Sequence, residues 1–134
     1  MRTLLNTVLL SLVIILAACN NITNNEIMTT NLNTVYSVVW SYKIKPENKE
    51  KFEIEYGSSG TWSKLFYESE NYRGSFLLKS EDESDTYLLV DTWIDKESYE
   101  NFKKINQETY NNISSGFEYL YLTEKKIGSF NSVQ

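Results

Sequence analysis

Apolar and polar side chains alternate along residues 35–44, which is the clearest pattern in the chain. Every second residue from Tyr36 to Ile44 is aromatic or aliphatic, and the residues between them include two serines and a lysine. A period of two places successive side chains on opposite faces of a strand. We therefore expect a first β-strand here, and we expect it to end before Pro46.

Helical spacing replaces this alternation after Pro46, a residue that the first turn of a helix tolerates well. Phe52 and Tyr56 are four residues apart and form one apolar stripe. Gly57 is expected to end this helix in a left-handed conformation. A second short helix is predicted for residues 61–68. Its apolar side carries Trp62, Leu65 and Phe66.

The second half of the chain predicts two strands, a helix and a final strand. The two strands, at residues 75–80 and 86–94, flank an acidic loop that is typical of a solvated hairpin turn. Asp95 is the expected N-cap of the helix, and Gly116 is the expected end. The final strand is predicted for residues 121–128.

The order of these elements, β-α-α-β-β-α-β, predicts an α+β fold. It matches a ferredoxin-like split β-α-β sandwich, in which helices cover one face of a four-stranded antiparallel sheet. The opposite face of the third strand would carry Leu88, Val90 and Ile94, which is too apolar to remain in water. Pairing of two sheets in a twofold dimer would cover this face. The sequence therefore predicts a homodimer.

The N-terminal segment has the pattern of a secretory signal peptide. Arg2 is the only charged side chain in the first 25 residues, and a mostly apolar run covers residues 9–16. This run is too short for a spanning helix. The sequence Leu16-Ala17-Ala18-Cys19 resembles the lipobox of bacterial lipoproteins. That resemblance implies cleavage before Cys19, its lipidation, and a membrane anchor facing the periplasm or the exterior.

These patterns divide the chain into four parts. Residues 1–18 form the predicted lipoprotein signal peptide, and residues 19–33 form the lipidated cysteine and an asparagine-rich tether. Residues 34–130 form one folded domain, and residues 131–134 form a short tail. A segment as polar as the tether cannot bury enough surface to offset the entropy of ordering it.

Composition restricts the chemistry that this domain can perform. The chain has 13 Lys and Arg against 18 Asp and Glu, and its formal charge of −5 argues against a nucleic-acid partner. It has no histidine and one cysteine, so histidine bases and zinc or iron–sulfur sites are not expected. Carboxylates, tyrosines, lysines and amides remain for chemistry. We predict no cofactor.

Several segments in order resemble the antibiotic biosynthesis monooxygenase family, whose fold is a dimeric α/β barrel. The most specific are YGxxGxWxxLF from Tyr56 to Phe66 and DxW from Asp91 to Trp93, followed by an aromatic helix. The resemblance extends over about residues 34–130 and includes the stretches VWSYKIKP, YRG and IGSF. It implies a homodimer. Known members include cofactor-independent oxygenases of phenolic compounds, haem-degrading enzymes and proteins without known activity.

The haem-degrading branch of this family is a poor match. Trp93 matches the tryptophan of that branch on the third strand, but Trp40 or its neighbour stands where that branch has an asparagine. The histidine that it uses as an iron ligand has no counterpart, because the chain contains none. Haem is therefore not expected as a cofactor.

The resemblance implies a pocket between the sheet and the helices, and strand alternation places Asp91 and Trp93 on that face. Burial would raise the pKa of Asp91 and make it a candidate general base. The candidate substrate-binding residues are Trp40, Trp62, Phe66, Trp93, Asn106 and Tyr110. The alternative is structural: Asp91 pairs with Arg73, a lysine or a tyrosine hydroxyl, the tryptophans fill the core, and Asn106 is a satisfied core amide.

Two functions remain open from the sequence. The first is a cofactor-independent monooxygenase-like lipoprotein in which a base deprotonates a small phenolic molecule and the resulting anion passes an electron to O₂. The second is a non-catalytic lipoprotein that binds a small molecule and reuses the same fold.

Overall fold

The computed structural model of the protein describes residues 35–133. The predicted signal peptide, Cys19 and the predicted tether lie outside the described residues. Four strands and four helices make up the described part. In chain order they are β1 (Tyr36–Ile44), α1 (Lys49–Tyr56), α2 (Thr61–Phe66), β2 (Tyr72–Lys79), β3 (Thr86–Trp93), α3 (Lys96–Ile105), α4 (Gln107–Phe117) and β4 (Tyr121–Asn131). Short 3₁₀ turns at Pro46–Asn48 and Glu118–Leu120 precede α1 and β4.

The strands form one antiparallel sheet in the order β2-β3-β1-β4. Helices cover one of its faces, so the predicted ferredoxin-like α+β fold is confirmed. In β1, four residues of the predicted face are buried, and Trp40 on the same face is half-buried. The core is mainly aromatic. In it, Phe52 stacks on Tyr56 with 4.3 Å between ring centroids, and Tyr42 packs edge-on against Tyr56.

Gly57 follows the last residue of α1 as predicted, but its predicted conformation and two other expectations for the helices are wrong. Gly57 has a φ of −70° and a ψ of 172°, which is extended and not left-handed. A Cβ at Gly57 would lie 2.7 Å from the Glu53 carbonyl oxygen, so glycine serves close packing here. The single predicted helix after Asp95 is broken at Asn106 into α3 and α4. Gly116 does not end a helix, because α4 continues to Phe117.

Two strands are longer than the sequence pattern predicted, and one cap is confirmed. β2 begins at Tyr72 and contains a register shift at Gly74, whose φ is +128°. β4 continues to Asn131, where the prediction ended at residue 128. Asp95 caps α3 as expected, because its carboxylate accepts a hydrogen bond from the Ser98 backbone N–H at 2.7 Å.

The two ends of the described chain lie side by side. The Val35 N–H donates to Ser132 Oγ at 3.0 Å, and the Ser132 N–H donates to the Val35 carbonyl at 2.9 Å. At the other end of β1, the Ile44 N–H donates to the carbonyl of Asp85, the last residue of the acidic loop. The domain therefore has a terminal end and an acidic-loop end.

The sheet face that lies away from the helices exposes large apolar side chains. The exposed fraction is 58% for Phe76, 50% for Leu78 and 51% for Phe130. Leu88 and Val90 lie directly opposite Leu78 and Phe76 on β3, so the apolar surface continues across strands. No helix within residues 35–133 is long and apolar enough to cross a membrane.

Candidate functional site

Asp91 occupies the middle of β3 on the face that the helices cover. The sheet register places it between Val38 of β1 and Ser75 of β2. Only 4% of its surface is exposed, and its same-face neighbour Trp93 is fully buried. Strand alternation predicted the face of both side chains, because one face of this strand must fill the core.

The partner of Asp91 is a serine and none of the groups that the sequence suggested. Ser75 Oγ donates to Asp91 Oδ1 at 2.5 Å, and the Tyr72 hydroxyl is hydrogen-bonded to Ser75 Oγ. Arg73, a predicted alternative partner, is exposed, and its guanidinium donates to the Glu70 carbonyl at 2.8 Å. The Asp91 carboxylate therefore meets a neutral hydroxyl and not a cation.

Burial determines the ionisation of this carboxyl. Desolvation raises the pKa of Asp91 from 3.8 to about 7, and the hydrogen bond from Ser75 opposes part of that shift. A carboxyl with a pKa near 7 exchanges its proton readily at neutral pH, which suits a general base or acid. The burial of Asp91 and its raised pKa are what a general base requires, and its role as a base stays a prediction.

Aromatic rings surround Trp93 next to this carboxyl. Its ring centroid lies 5.5 Å from that of Phe66 and 5.3 Å from that of Tyr72, and Tyr99 and Phe102 contact it from α3. Among the described residues, the buried indole N–H of Trp93 has no partner in hydrogen-bonding geometry, whereas that of Trp62 interacts with the Tyr56 hydroxyl. Such unpaired donors are costly in a core and are available to an acceptor on a ligand.

Trp62, Phe66 and Tyr110 form a second part of the aromatic interior. The rings of Trp62 and Tyr110 lie 4.7 Å apart, and Phe66 contacts both of them. Five of the predicted binding and base residues are thus joined into one buried region: Asp91, Trp93, Phe66, Trp62 and Tyr110. Trp40 shares the sheet face but is half-buried and packs against the edge of the core.

Asn106 lies at the break between α3 and α4. Its amide donates to the Phe102 carbonyl at 3.1 Å, and its backbone N–H donates to the same carbonyl at 3.0 Å. These bonds satisfy the last turn of α3. Asn106 also lines a cleft between the end of α2 and the start of α3, so the predicted ligand contact and the structural alternative both remain.

Sequence reasoning missed Ser75 and Tyr72 as functional candidates. Ser75 shares its face of β2 with Leu77 and Lys79, so the alternation along this strand does not single it out. Ser75 stands opposite Asp91 only in the observed register of β2 against β3, and the bulge at Gly74 shifts that register. Ser63 also belongs to this network, since the Tyr72 hydroxyl lies 3.4 Å from its Oγ and Ser63 Oγ donates to the Gly57 carbonyl.

Three surface clefts border this region. One of about 400 Å³ lies at the edge of β2 and is lined by Ser75. Another of about 320 Å³ is lined by Lys103 and Tyr110, where Lys103 Nζ lies 5.0 Å from the centroid of the Tyr110 ring. The largest of the three, about 440 Å³, lies between the end of α2 and the start of α3 and is not lined by Asp91. Within the described part of the chain, no group of three or more His, Cys, Asp or Glu side chains could hold a metal ion.

The fold is similar to solved structures of an oxygenase and of candidate monooxygenases. SnoaB, a cofactor-independent oxygenase from Streptomyces nogalater, aligns with a TM-score of 0.61 and 17% identity over 75% of this chain and 94% of its own. A candidate antibiotic biosynthesis monooxygenase from Bordetella bronchiseptica aligns with a TM-score of 0.58 and 14% identity over 75% and 98% of the two chains. The domain has the fold of antibiotic biosynthesis monooxygenases.

A third similar structure is a candidate antibiotic biosynthesis monooxygenase from Nitrosomonas europaea, with a TM-score of 0.58 and 13% identity over 74% of this chain and 90% of that one. No protein-family model and no curated protein sequence matches the chain. At these identities the similarity establishes the fold, and the activity has to be argued from the site.

Proposed function

We propose that this domain is a cofactor-independent monooxygenase that acts on a small phenolic molecule. The observation that carries the proposal is Asp91, a buried carboxyl with a pKa of about 7 beside an aromatic interior. Solved structures with the same fold include a cofactor-independent oxygenase, which supports this reaction class.

In this proposal Asp91 is the base and the aromatic rings hold the substrate. The carboxylate accepts the phenolic proton, and the electron-rich anion then passes an electron to O₂. The unpaired indole N–H of Trp93 is available to the developing negative charge on oxygen. Because only 4% of Asp91 is exposed, substrate reaches it only when side chains of the helical layer move.

Oxygen uptake by residues 34–134, measured with a panel of anthrones, naphthols and hydroquinones, tests this activity. Asp91→Asn keeps the shape of the side chain and removes the base, so kcat should fall by about 10²-fold or more. Asp82→Asn, a change in the exposed acidic loop, is the matched control and should leave kcat unchanged. Equal turnover by Asp91→Asn and the parent protein would refute the role of Asp91 as base.

The second candidate function is binding without catalysis. The closed packing of the interior and the hydrogen-bonded state of Asp91 favour it, since both also describe a structural carboxyl. Quenching of tryptophan fluorescence by the same panel measures binding directly, because Trp62 and Trp93 lie in the interior. Saturable quenching without oxygen uptake would support the binding protein over the enzyme.

The proposal also includes an envelope location and a homodimer. The lipobox-like sequence that ends at Cys19 supports a lipid-anchored protein in the cell envelope. Mass spectrometry of protein extracted from membranes would detect acyl chains on Cys19. The exposed apolar sheet face supports pairing with a second copy of the chain.

A further inference from the structure

Asp91 is connected to the molecular surface through Ser75. Ser75 belongs to β2, an edge strand of the sheet, and it lines the cleft of about 400 Å³ beside that edge. The other side of the cleft is formed by Gly57 and Ser58, which follow α1. Ser75, whose own surface is 6% exposed, therefore contacts the buried carboxylate and is also a lining residue of a cleft that is open to solvent.

The hydrogen bonds around Ser75 have a definite direction when Asp91 is ionised. A hydroxyl has one proton to donate and two lone pairs that accept. Ser75 donates its proton to Asp91, so the Tyr72 hydroxyl turns its one proton to Ser75 Oγ and away from Ser63 Oγ, which lies farther off at 3.4 Å. One lone pair of Ser75 Oγ then remains for a water molecule in the cleft.

The other ionisable groups around Asp91 are neutral tyrosines. Tyr42 of β1, Tyr72 of β2, Tyr99 of α3 and Tyr110 of α4 all interact with it electrostatically, and burial raises the pKa of each. On the side of the cleft, the ionisable residue is Glu53. None of these groups is a cation that would hold Asp91 ionised, so Ser75 is the group that stabilises its charged form.

We propose that Asp91 exchanges its proton with the β2-edge cleft through Ser75 Oγ, and that the Tyr72 hydroxyl orients Ser75 for this transfer. The inference rests on the proposed function, because it explains how the base is reset after each turnover. On release, Asp91 passes its proton to Ser75 Oγ while Ser75 passes its own proton to water in the cleft. Ser75 is unchanged, Asp91 becomes a carboxylate, and the water becomes hydronium.

Nuclear magnetic resonance of protein with ¹³Cγ-labelled aspartate tests this relay without any substrate. Ser75→Ala removes the hydrogen bond to the carboxylate, so the pKa of Asp91 should rise by about one to two units. Proton exchange at Asp91 should also slow, which broadens its resonance through the titration. Tyr72→Phe should move the pKa in the same direction by a smaller amount, because Ser75 keeps its proton.

Two matched variants separate the relay from a general structural effect. Ser58→Ala removes a hydroxyl from the same cleft and should leave the Asp91 titration unchanged. Ser75→Thr keeps the hydroxyl and should retain the parent pKa and the parent exchange rate. If Ser75→Ala fails to fold, Tyr72→Phe and Ser75→Thr still decide the result. An Asp91 titration that is the same in Tyr72→Phe and Ser75→Ala as in the parent protein overturns the proposal.

The pH profile of oxygen uptake connects the relay to the activity. The rising limb of kcat should move to higher pH in Ser75→Ala by the same amount as the NMR titration. Activity should then be about ten-fold lower near neutral pH and recover at higher pH. A purely structural role would lower kcat equally at every pH. If the titration depends on Ser75 but no substrate consumes oxygen, the relay stands and the proposed function fails.

Discussion

Asp91 occupies a core position at which an apolar side chain would cost less to bury. A carboxylate loses much of its hydration there, and one hydrogen bond from a serine replaces only part of it. Burial of this kind favours the protonated acid, which is why the pKa rises. A residue that costs stability at neutral pH and yet lies beside an aromatic interior is typical of a functional site.

Because the pKa of Asp91 differs between the folded and the unfolded protein, Asp91 makes the free energy of unfolding depend on pH. Between its unfolded pKa of 3.8 and its folded value of about 7, the folded protein binds more protons than the unfolded chain. The contribution of Asp91 to the free energy of unfolding is therefore complete below about pH 4. It is lost as the pH rises to 7, by up to about 1.4 kcal/mol per pH unit.

Urea unfolding of the parent protein and Asp91→Asn at pH 5 and pH 8 measures this effect. The amide stays neutral, so Asp91→Asn should gain stability relative to the parent protein as the pH rises from about 5 to 8. Asp82→Asn should show no such trend. A constant difference between Asp91→Asn and the parent protein across this range would contradict the raised pKa.

At this scale the sequence predicted the faces of side chains better than their partners. Alternation along β3 was enough to bury Asp91 and Trp93 together. The partner of Asp91 depends on which residue of β2 stands opposite, and the bulge between Tyr72 and Gly74 changes that register. Local pattern contains no information about a bulge of this kind.

At the scale of elements, glycines fix how α1 leads into α2. A Cβ at Gly60 would lie 2.3 Å from the Glu55 carbonyl oxygen and 2.4 Å from that of Ile54. Only glycine allows the chain to pass this close to the end of α1 and begin the helix that carries Trp62 and Phe66. Gly116 in α4, in contrast, has open space where a Cβ would lie.

This contrast predicts opposite effects for two identical substitutions. Gly60→Ala should destabilise the protein by about 2–3 kcal/mol, because backbone atoms must move to admit the methyl group. Gly116→Ala should stabilise it by about 0.5–1 kcal/mol through helix propensity. Urea unfolding measures both changes, and a neutral Gly60→Ala would contradict the packing described for this turn.

The break between α3 and α4 could not be predicted from the apolar periodicity of the sequence. Apolar spacing continues from Tyr99 through Phe102 to Ile113, so a single helix was the natural prediction. The break at Asn106 comes from a local competition, in which its amide caps the Phe102 carbonyl. Such a side-chain bond interrupts the helix without interrupting its apolar stripe.

At the scale of the whole molecule, the open sheet face is apolar and exposed. Phe76 and Leu78 on β2 and Phe130 on β4 are each about half exposed or more, so this face is apolar at both edges of the sheet. An apolar surface of this extent is usually covered in solution. Stacking against the same face of a second chain would cover it and leave the helical layer free.

The proposed homodimer can be tested by one charge on that face. Phe76→Asp should convert the dimer to a monomer in sedimentation velocity at micromolar concentration, because two carboxylates would be buried at the interface. Ile54→Asp, at an apolar residue of α1 that is 59% exposed, should leave the dimer intact. A parent protein that sediments as a monomer would contradict the dimer.

The antiparallel pairing of β1 places the ends of the described chain and the acidic loop at opposite ends of the sheet. Val35 and Ser132 meet at one end, and the loop that contains Glu81, Asp82, Glu83 and Asp85 lies at the other. A label joined to the chain next to Val35 or next to Ser132 would therefore leave the domain from the same end, and either attachment should leave the acidic loop accessible.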